Sequence, residues 1–161
     1  NVGTMIHATG VPSDNGIIEK YCYYNELDSC TKYGGLYWWT EMMQYTTQPG
    51  SQGICPEGWH VPTDEEWKLL EGAVDSQYGI GDDTWDDNYY RGYDAGTNLK
   101  TTSGWYANGN GTDLYEFSIL PSGRREGDGS FSDMGISRAT FPPQDIELML
   151  VYYERAYLTL R

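Results

Sequence analysis

Apolar residues recur at helical spacing in two segments of the first half of the chain, 33–45 and 64–74. Thr63 stands directly before the second segment, and Glu66 follows it three positions later, which is the pattern of a capping box. The sequence therefore predicts two amphipathic helices, the second beginning just after Thr63. The residues that share one face are Leu36, Trp39, Met42 and Met43 in the first helix, and Trp67, Leu70 and Val74 in the second.

The rest of the chain is rich in turn-forming residues. Residues 75–111 consist almost entirely of such residues, and so long an irregular stretch carries function or packs as a structured loop. Segments 117–121 and 129–131 are predicted short strands on either side of a turn, and 148–160 is a predicted hairpin or strand pair. Two helices, a loop-rich insert and late strands indicate an α+β fold, with residues 1–161 forming a single domain.

Composition narrows the function classes. The chain has 161 residues, and its 24 acidic and 10 basic residues give a formal net charge of −14, which argues against a nucleic-acid partner. No apolar run approaches the roughly 20 residues of a transmembrane segment, and no signal peptide is recognisable. The chain begins at Asn1 instead of Met, as expected of a mature or excised piece of a secreted or cell-surface protein.

Three cysteines are present. Cys22 and Cys30 bracket a short polar loop, and a disulfide between them would stabilise the fold by roughly 2.5 kcal/mol. The secreted type of composition favours that bridge. Cys55 is then left over, and it is either a buried thiol or a cysteine whose partner lies outside this chain.

No pattern of catalytic residues emerges from the sequence. His60 has only His7 as a second histidine, so we expect a hydrogen-bonded structural role for it and no metal cluster. The acidic residues of 82–88 and 108–113 offer oxygen ligands of the type that Ca²⁺ prefers, but their spacing fits no EF-hand. Solvated turn residues are the favoured interpretation, Ca²⁺ is the alternative, and no other cofactor is predicted.

Aromatic residues supply the candidate ligand contacts, because each brings a large apolar face and, in Tyr and Trp, a polar group. Trp39 and Trp67 are predicted core residues. The candidates inside the acidic insert are Trp85, Tyr89 and Tyr90, which we expect to be exposed. The candidates near the end of the chain are Tyr152, Tyr153 and Arg155.

Several motifs of the chain resemble the Fibrobacter succinogenes major paralogous domain, a family found on surface proteins of Bacteroidetes and Fibrobacteres. The resemblance implies a C-type-lectin-like fold, with two helices, small antiparallel sheets and a long loop region, and a bacterial, outer-membrane-associated location. The matching segments follow one another in order over most of residues 2–135. They are 18–23, 33–37, 43–45, 52–67, 91–96, 109–113, 117–123 and 129–131.

The chain departs from the family pattern in three places. Family members usually begin with a strand before the position of Val2 and end with a strand carrying a cysteine, so the resemblance implies a domain that is incomplete at both ends. That last cysteine is the implied partner of Cys55. Residues 141–147 also differ from the family, and two accounts stay open, a compensated frameshift and true divergence.

Two functions follow as expectations. The first is a non-catalytic binding or adhesion module that presents residues 79–113, together with 140–157, to a glycan or a surface protein. The second is a structural subunit that self-assembles into a fibre or layer by strand addition at open sheet edges. An enzyme is not expected, although formylglycine-generating enzymes share the broader lectin-like fold, because the sequence offers no activated cysteine pair.

Overall fold

A computed structural model describes residues 1–87 and 91–135, together with the backbone of a short strand at Met149–Leu150. In these residues the chain forms a mixed α+β fold of short helices and two-stranded sheets, as the sequence predicted. The helices are α1 (Leu27–Tyr33), α2 (Trp39–Met42), α3 (Asp64–Val74) and α4 (Ala95–Leu99). The strands are β1 (Thr4–Met5), β2 (Glu19–Lys20), β3 (Leu36–Tyr37), β4 (Ser122–Arg125), β5 (Phe131–Met134) and β6 (Met149–Leu150).

Helix α3 confirms the predicted capping box. The Glu66 backbone N–H donates to Thr63 Oγ1 over 3.3 Å, and the Thr63 backbone N–H donates to Glu66 Oε2 over 2.8 Å. These bonds satisfy two of the donors that a helix start leaves without intrahelical partners. The helix ends at Val74, and its bounds are those that the apolar spacing predicted.

The prediction of a helix over residues 33–45 is largely wrong. Apart from Tyr33, the last residue of α1, only α2 is helical in this segment, and β3 precedes α2 as an extended piece. Trp38 separates the two with a ψ of 149°, and Gln44 and Tyr45 both have positive φ, so the helix cannot extend in either direction. Conversely, α1 begins at Leu27, inside the segment between Cys22 and Cys30 that the sequence indicated as a polar loop.

The sheets are small and pair distant parts of the chain. β1 pairs with β2 in parallel, whereas β3 with β6 and β4 with β5 are antiparallel. An antiparallel bridge between Tyr21 and Leu36 connects the first two sheets. The predicted strands at 117–121 and 129–131 are displaced by a few residues, since the hairpin is β4–β5. Of the predicted pair at 148–160, β6 is described and the remainder lies outside the described residues.

Three apolar clusters form the core of the described residues. One lies beneath α2, one joins α3 to α4, and one lies between the β2–β3 connection and the hairpin β4–β5. No helix in the described parts of the chain combines the length and apolarity that crossing a membrane requires. The buried members are Tyr37, Met42, Met43, Ile54 and Val61; Val74, Trp85, Ala95, Leu99, Trp105 and Ile119; and Tyr21, Tyr23, Leu36 and Trp38.

Candidate ligand-binding site

Trp85 is a core residue, so the prediction that it is exposed is wrong. Its side chain is 1% exposed and packs in the cluster of α3 and α4. Trp85 Nε1 donates to the Gly79 carbonyl over 2.8 Å, which satisfies its polar group inside the protein. A Cβ at Gly92 would lie 2.6 Å from the indole ring, so only glycine lets the loop pack this closely.

The remaining predicted ligand contacts stay predictions. Tyr89, Tyr90, Tyr152, Tyr153 and Arg155 lie outside the described residues. The predicted loop-rich face does expose other aromatic side chains, Tyr93 at 68% and Tyr106 at 73%.

The acidic residues of the insert serve as local hydrogen-bond acceptors and ion-pair partners. Asp82 accepts from the Thr84 backbone N–H over 2.9 Å, and Asp86 pairs with Lys68 over 2.7 Å. Asp113 accepts from both the backbone and the hydroxyl of Ser118. Within the described ranges, no three His, Cys, Asp or Glu side chains come together in a group that could hold a metal ion.

His60 has the structural role that the sequence predicted. Its Nε2 lies 2.7 and 2.9 Å from the two carboxylate oxygens of Glu66, beside the cap of α3. Partial burial opposes ionisation of Glu66, but hydrogen bonds from Thr63 and from His60 outweigh it and lower the pKa of this carboxyl. The pair therefore supports the start of α3.

A disulfide fixes the loop that carries Tyr24, an exposed aromatic residue. Cys22 is bonded to Cys30, as predicted, and both are buried. Between them, Tyr24 and Asn25 have φ values of 54° and 59°, in the left-handed region that is uncommon for a tyrosine. This turn leaves the Tyr24 side chain 66% exposed. The short ring closed by the disulfide thus presents an aromatic side chain to solvent.

A cavity of about 310 Å³ lies next to this turn. Its lining combines two apolar side chains with an imidazole, an amide and two carboxylates, so it can contact both carbon and polar groups of a ligand. The turn, β1 and the start of α1 contribute to it. The lining residues are Met5, His7, Asn25, Glu26, Leu27 and Asp28.

Two aromatic residues, Tyr23 and Phe131, pack against the ring of Tyr24. The ring of the buried Tyr23 lies 4.6 Å from that of Tyr24, centroid to centroid, in an edge-to-face arrangement, and the ring of Phe131 lies 5.9 Å away. Phe131 in turn lies 5.1 Å from Tyr23. Burial raises the pKa of the Tyr23 hydroxyl, which keeps that side chain neutral. We name Tyr24 and the cavity-lining residues the Tyr24 site.

The Tyr24 site was not predicted from the sequence. The signal in the sequence was the pair Tyr23-Tyr24 inside the predicted disulfide ring, which is similar to the candidate pairs Tyr89-Tyr90 and Tyr152-Tyr153. Which of two adjacent tyrosines is buried depends on the positive φ at Tyr24, and that depends on packing against Phe131 more than 100 residues away.

The family model of the Fibrobacter succinogenes major domain matches residues 7–141, most of the chain. No curated protein and no solved structure is significantly similar to it.

Proposed function

The chain belongs to the Fibrobacter succinogenes major domain family, and we propose that it is a non-catalytic binding module, secreted or displayed at the bacterial cell surface. Its ligand is a glycan that contacts Tyr24 and enters the adjoining cavity. The observation that carries the proposal is the exposed Tyr24 ring, held by a disulfide-closed turn whose next residue, Asn25, lines a cavity.

The chemistry of the Tyr24 site favours a glycan. An exposed aromatic ring offers an apolar face for the C–H groups of a sugar ring. Asn25, Glu26 and Asp28 supply amide and carboxylate groups that can exchange hydrogen bonds with sugar hydroxyls. The cavity volume of about 310 Å³ lies at the lower end of the range for small-molecule pockets, roughly 300–1,000 Å³. A terminal sugar or a short oligosaccharide fits these dimensions.

Rigidity of the turn supports a binding role. The Cys22–Cys30 disulfide and the packing of Tyr24 against Tyr23 and Phe131 order the site before a ligand arrives. A binding site that is ordered in advance loses less conformational entropy when it binds. The disulfide is also typical of an oxidising, extracellular environment.

The non-catalytic part of the proposal rests on the cysteines. Cys22 and Cys30 are joined to each other, so neither thiol is available as the activated cysteine of a formylglycine-generating type of enzyme. A calcium ion is not required by the proposed contacts, which use aromatic, amide and carboxylate groups.

A glycan array with two matched variants tests the proposal. Tyr24→Ala removes the proposed stacking ring, and Tyr93→Ala removes a tyrosine of similar exposure on the predicted loop-rich face. We expect binding by the wild-type protein, with and without calcium, a loss of roughly tenfold in Tyr24→Ala, and no loss in Tyr93→Ala. Thermal unfolding of both variants verifies that they remain folded.

Two results contradict the proposal. Loss of binding in Tyr93→Ala alone places the ligand on residues 79–113, as the sequence predicted. An array without any signal removes the support for a glycan and leaves a surface protein as the ligand to test.

A further inference from the structure

The first ten residues lie along the domain as an extended segment. β1 pairs in parallel with β2, and the Thr4 and Ile6 backbone N–H groups donate to the carbonyls of Ile18 and Lys20 over 2.7 and 2.9 Å. A parallel pair cannot be closed by a tight turn, so the chain must cross over between the two strands.

Side chains of the domain hold the other side of the segment by its backbone carbonyls. Main-chain acceptors occur in every residue type, so this recognition depends on an extended backbone more than on the identity of the segment's side chains. The four bonds are from Tyr37 Oη to Val2 (2.6 Å), from Arg125 Nη2 to Ala8 (2.8 Å), from Tyr21 Oη to Gly10 (3.2 Å) and from Lys20 Nζ to Asn1 (3.3 Å).

Packing in the core fixes the positions of the side chains that donate these bonds. Tyr21, Tyr37 and Arg125 are all buried, and the Arg125 guanidinium carbon lies 3.8 Å from the centroid of the Tyr21 ring. Arg125 Nε and Nη1 are also buried and make no hydrogen bond within the described part of the chain. We call the surface formed by β2, Tyr21, Tyr37 and Arg125 the groove. Its side chains are held in place by the core, and Arg125 has further N–H groups that can donate to an extended backbone.

The segment itself is held by few apolar contacts. Ile6 packs against the cluster of Tyr21, Tyr23, Leu36 and Trp38, and the residues on either side of Met5 and Ile6 are exposed. Because most of the segment's own side chains are already exposed, its attachment depends in large part on hydrogen bonds that water can replace.

The connection from this segment to β2 lies in solvent. Residues 13–17 are all exposed, and the Ile17 backbone N–H donates a local hydrogen bond to Asn15 Oδ1 over 2.8 Å. Asn15-Gly16 forms the turn, with a φ of 74° at Gly16. This connection can open without breaking any contact of the core.

We propose that residues 1–12 exchange between two copies of this chain, so that each copy inserts its segment into the groove of the other. A second copy is the partner that fits, because its segment has the same length and the same apolar Ile6, and every bond of the closed monomer is re-formed. The exchange does not require a glycan, but Met5 and His7 of the segment line the Tyr24 site, so each copy in the exchanged dimer supplies these two side chains to the site of the other. The exchange gives the predicted self-assembly a specific route.

Cysteine cross-linking between two differently substituted copies of the chain tests the exchange. Thr4 and Glu19 are register partners of β1 and β2, so their side chains lie on the same face of neighbouring strands. A Thr4→Cys chain is mixed with a Glu19→Cys chain at high concentration and oxidised. In an unexchanged pair the two introduced cysteines lie in separate molecules and are not adjacent.

We expect a disulfide-linked heterodimer at a severalfold higher yield than two controls give. The controls are the wild-type chain treated in the same way and a mixture of Asn15→Cys with Glu19→Cys, in which the first cysteine lies in the exposed connection. Heterodimer yields equal to both controls overturn the proposal.

A second variant tests the same idea through oligomeric state. Deleting residues 13–16 leaves three residues between Gly10, which Tyr21 holds, and Ile18, which accepts from Thr4. We expect so short a connection to disfavour insertion into the chain's own groove, whereas Asp14→Ala keeps the length. We expect the deletion to convert the protein to a dimer in light scattering, with the control unchanged in oligomeric state. A folded monomer of the deletion variant overturns the proposal. Where the deletion variant does not fold, the cross-linking experiment is the deciding test.

Discussion

Asp75 is the residue whose side chain joins the two halves of the α3–α4 unit. It follows the last residue of α3, and its carboxylate accepts hydrogen bonds from five backbone N–H groups. Burial opposes its ionisation, but these donors outweigh burial and lower the pKa of Asp75 from 3.8 to about 2. The donors belong to Gln77 and Tyr78, on Oδ1, and to Tyr93, Asp94 and Ala95, on Oδ2.

We expect Asp75→Ala to lower the free energy of unfolding by roughly 2–3 kcal/mol, because it leaves several backbone donors without their acceptor. The exposed Asp87→Ala is the control and should change stability by less than about 0.5 kcal/mol. Urea unfolding measures both. Equal stability of the two variants would show that water replaces the Asp75 carboxylate.

The lowered pKa of Asp75 predicts that the stability of the protein depends on pH. A carboxyl whose pKa is lower in the folded state stabilises the protein above its unfolded-state pKa, and this contribution is lost as the pH falls through the folded-state value. The wild-type protein should therefore lose stability between about pH 5 and pH 2 more steeply than Asp75→Ala. Parallel slopes in urea unfolding over this range would contradict the assignment.

Residue-level exposure could be predicted only in part. The buried Cys22–Cys30 pair and the structural His60 follow from spacing and composition. Trp85 and Tyr24 do not, because each depends on residues distant in the sequence, Trp85 on its core cluster with Trp105 and Ile119, and Tyr24 on Phe131. The residues that neighbour Trp85 and Tyr24 in the sequence do not predict those contacts.

At the scale of elements, α3 is the segment in which every local signal agrees. Its cap, its acidic first turn and its apolar face all indicate the same helix. We expect Thr63→Ala to lower the free energy of unfolding by about 1 kcal/mol, since it removes the acceptor for the Glu66 backbone N–H. Thr63→Ser retains a hydroxyl and should recover most of that loss. If the two variants are equally destabilised in urea, the effect comes from the lost methyl group and not from the cap.

Segment 33–45 shows where local signals fail. Its apolar residues have helical spacing, yet β3 is extended because it pairs with β6 and, through Leu36, with Tyr21. Those partners lie far away in sequence or on the other side of α1. A short apolar run is therefore compatible with either state until its partner is known. The hairpin β4–β5 was predicted in kind but displaced, since strand ends depend on pairing register.

For the whole molecule, the dominant electrostatic fact is the formal net charge of −14. The basic residues of the α3 region are already engaged: Arg91 pairs with Glu71 over 2.8 Å and with Asp64 over 2.9 Å, and Lys68 pairs with Asp86. Burial raises the pKa of Glu71, although the neighbouring Arg91 opposes that shift. The remaining carboxylates repel one another, which weakens the compact state.

This excess charge predicts a response to salt that also tests for calcium. Raising the NaCl concentration from about 0.01 M to 0.15 M shortens the Debye length from about 30 Å to about 8 Å, so repulsion between exposed carboxylates is screened. We expect Tm to rise by a few degrees, because repulsion across the whole surface outweighs the weakening of exposed ion pairs.

CaCl2 and MgCl2 at equal concentration then separate screening from binding. The acidic side chains in the described ranges do not converge on a metal-binding group, so both salts should raise Tm equally. Greater stabilisation by CaCl2, increasing with the logarithm of its concentration, would reveal a calcium site.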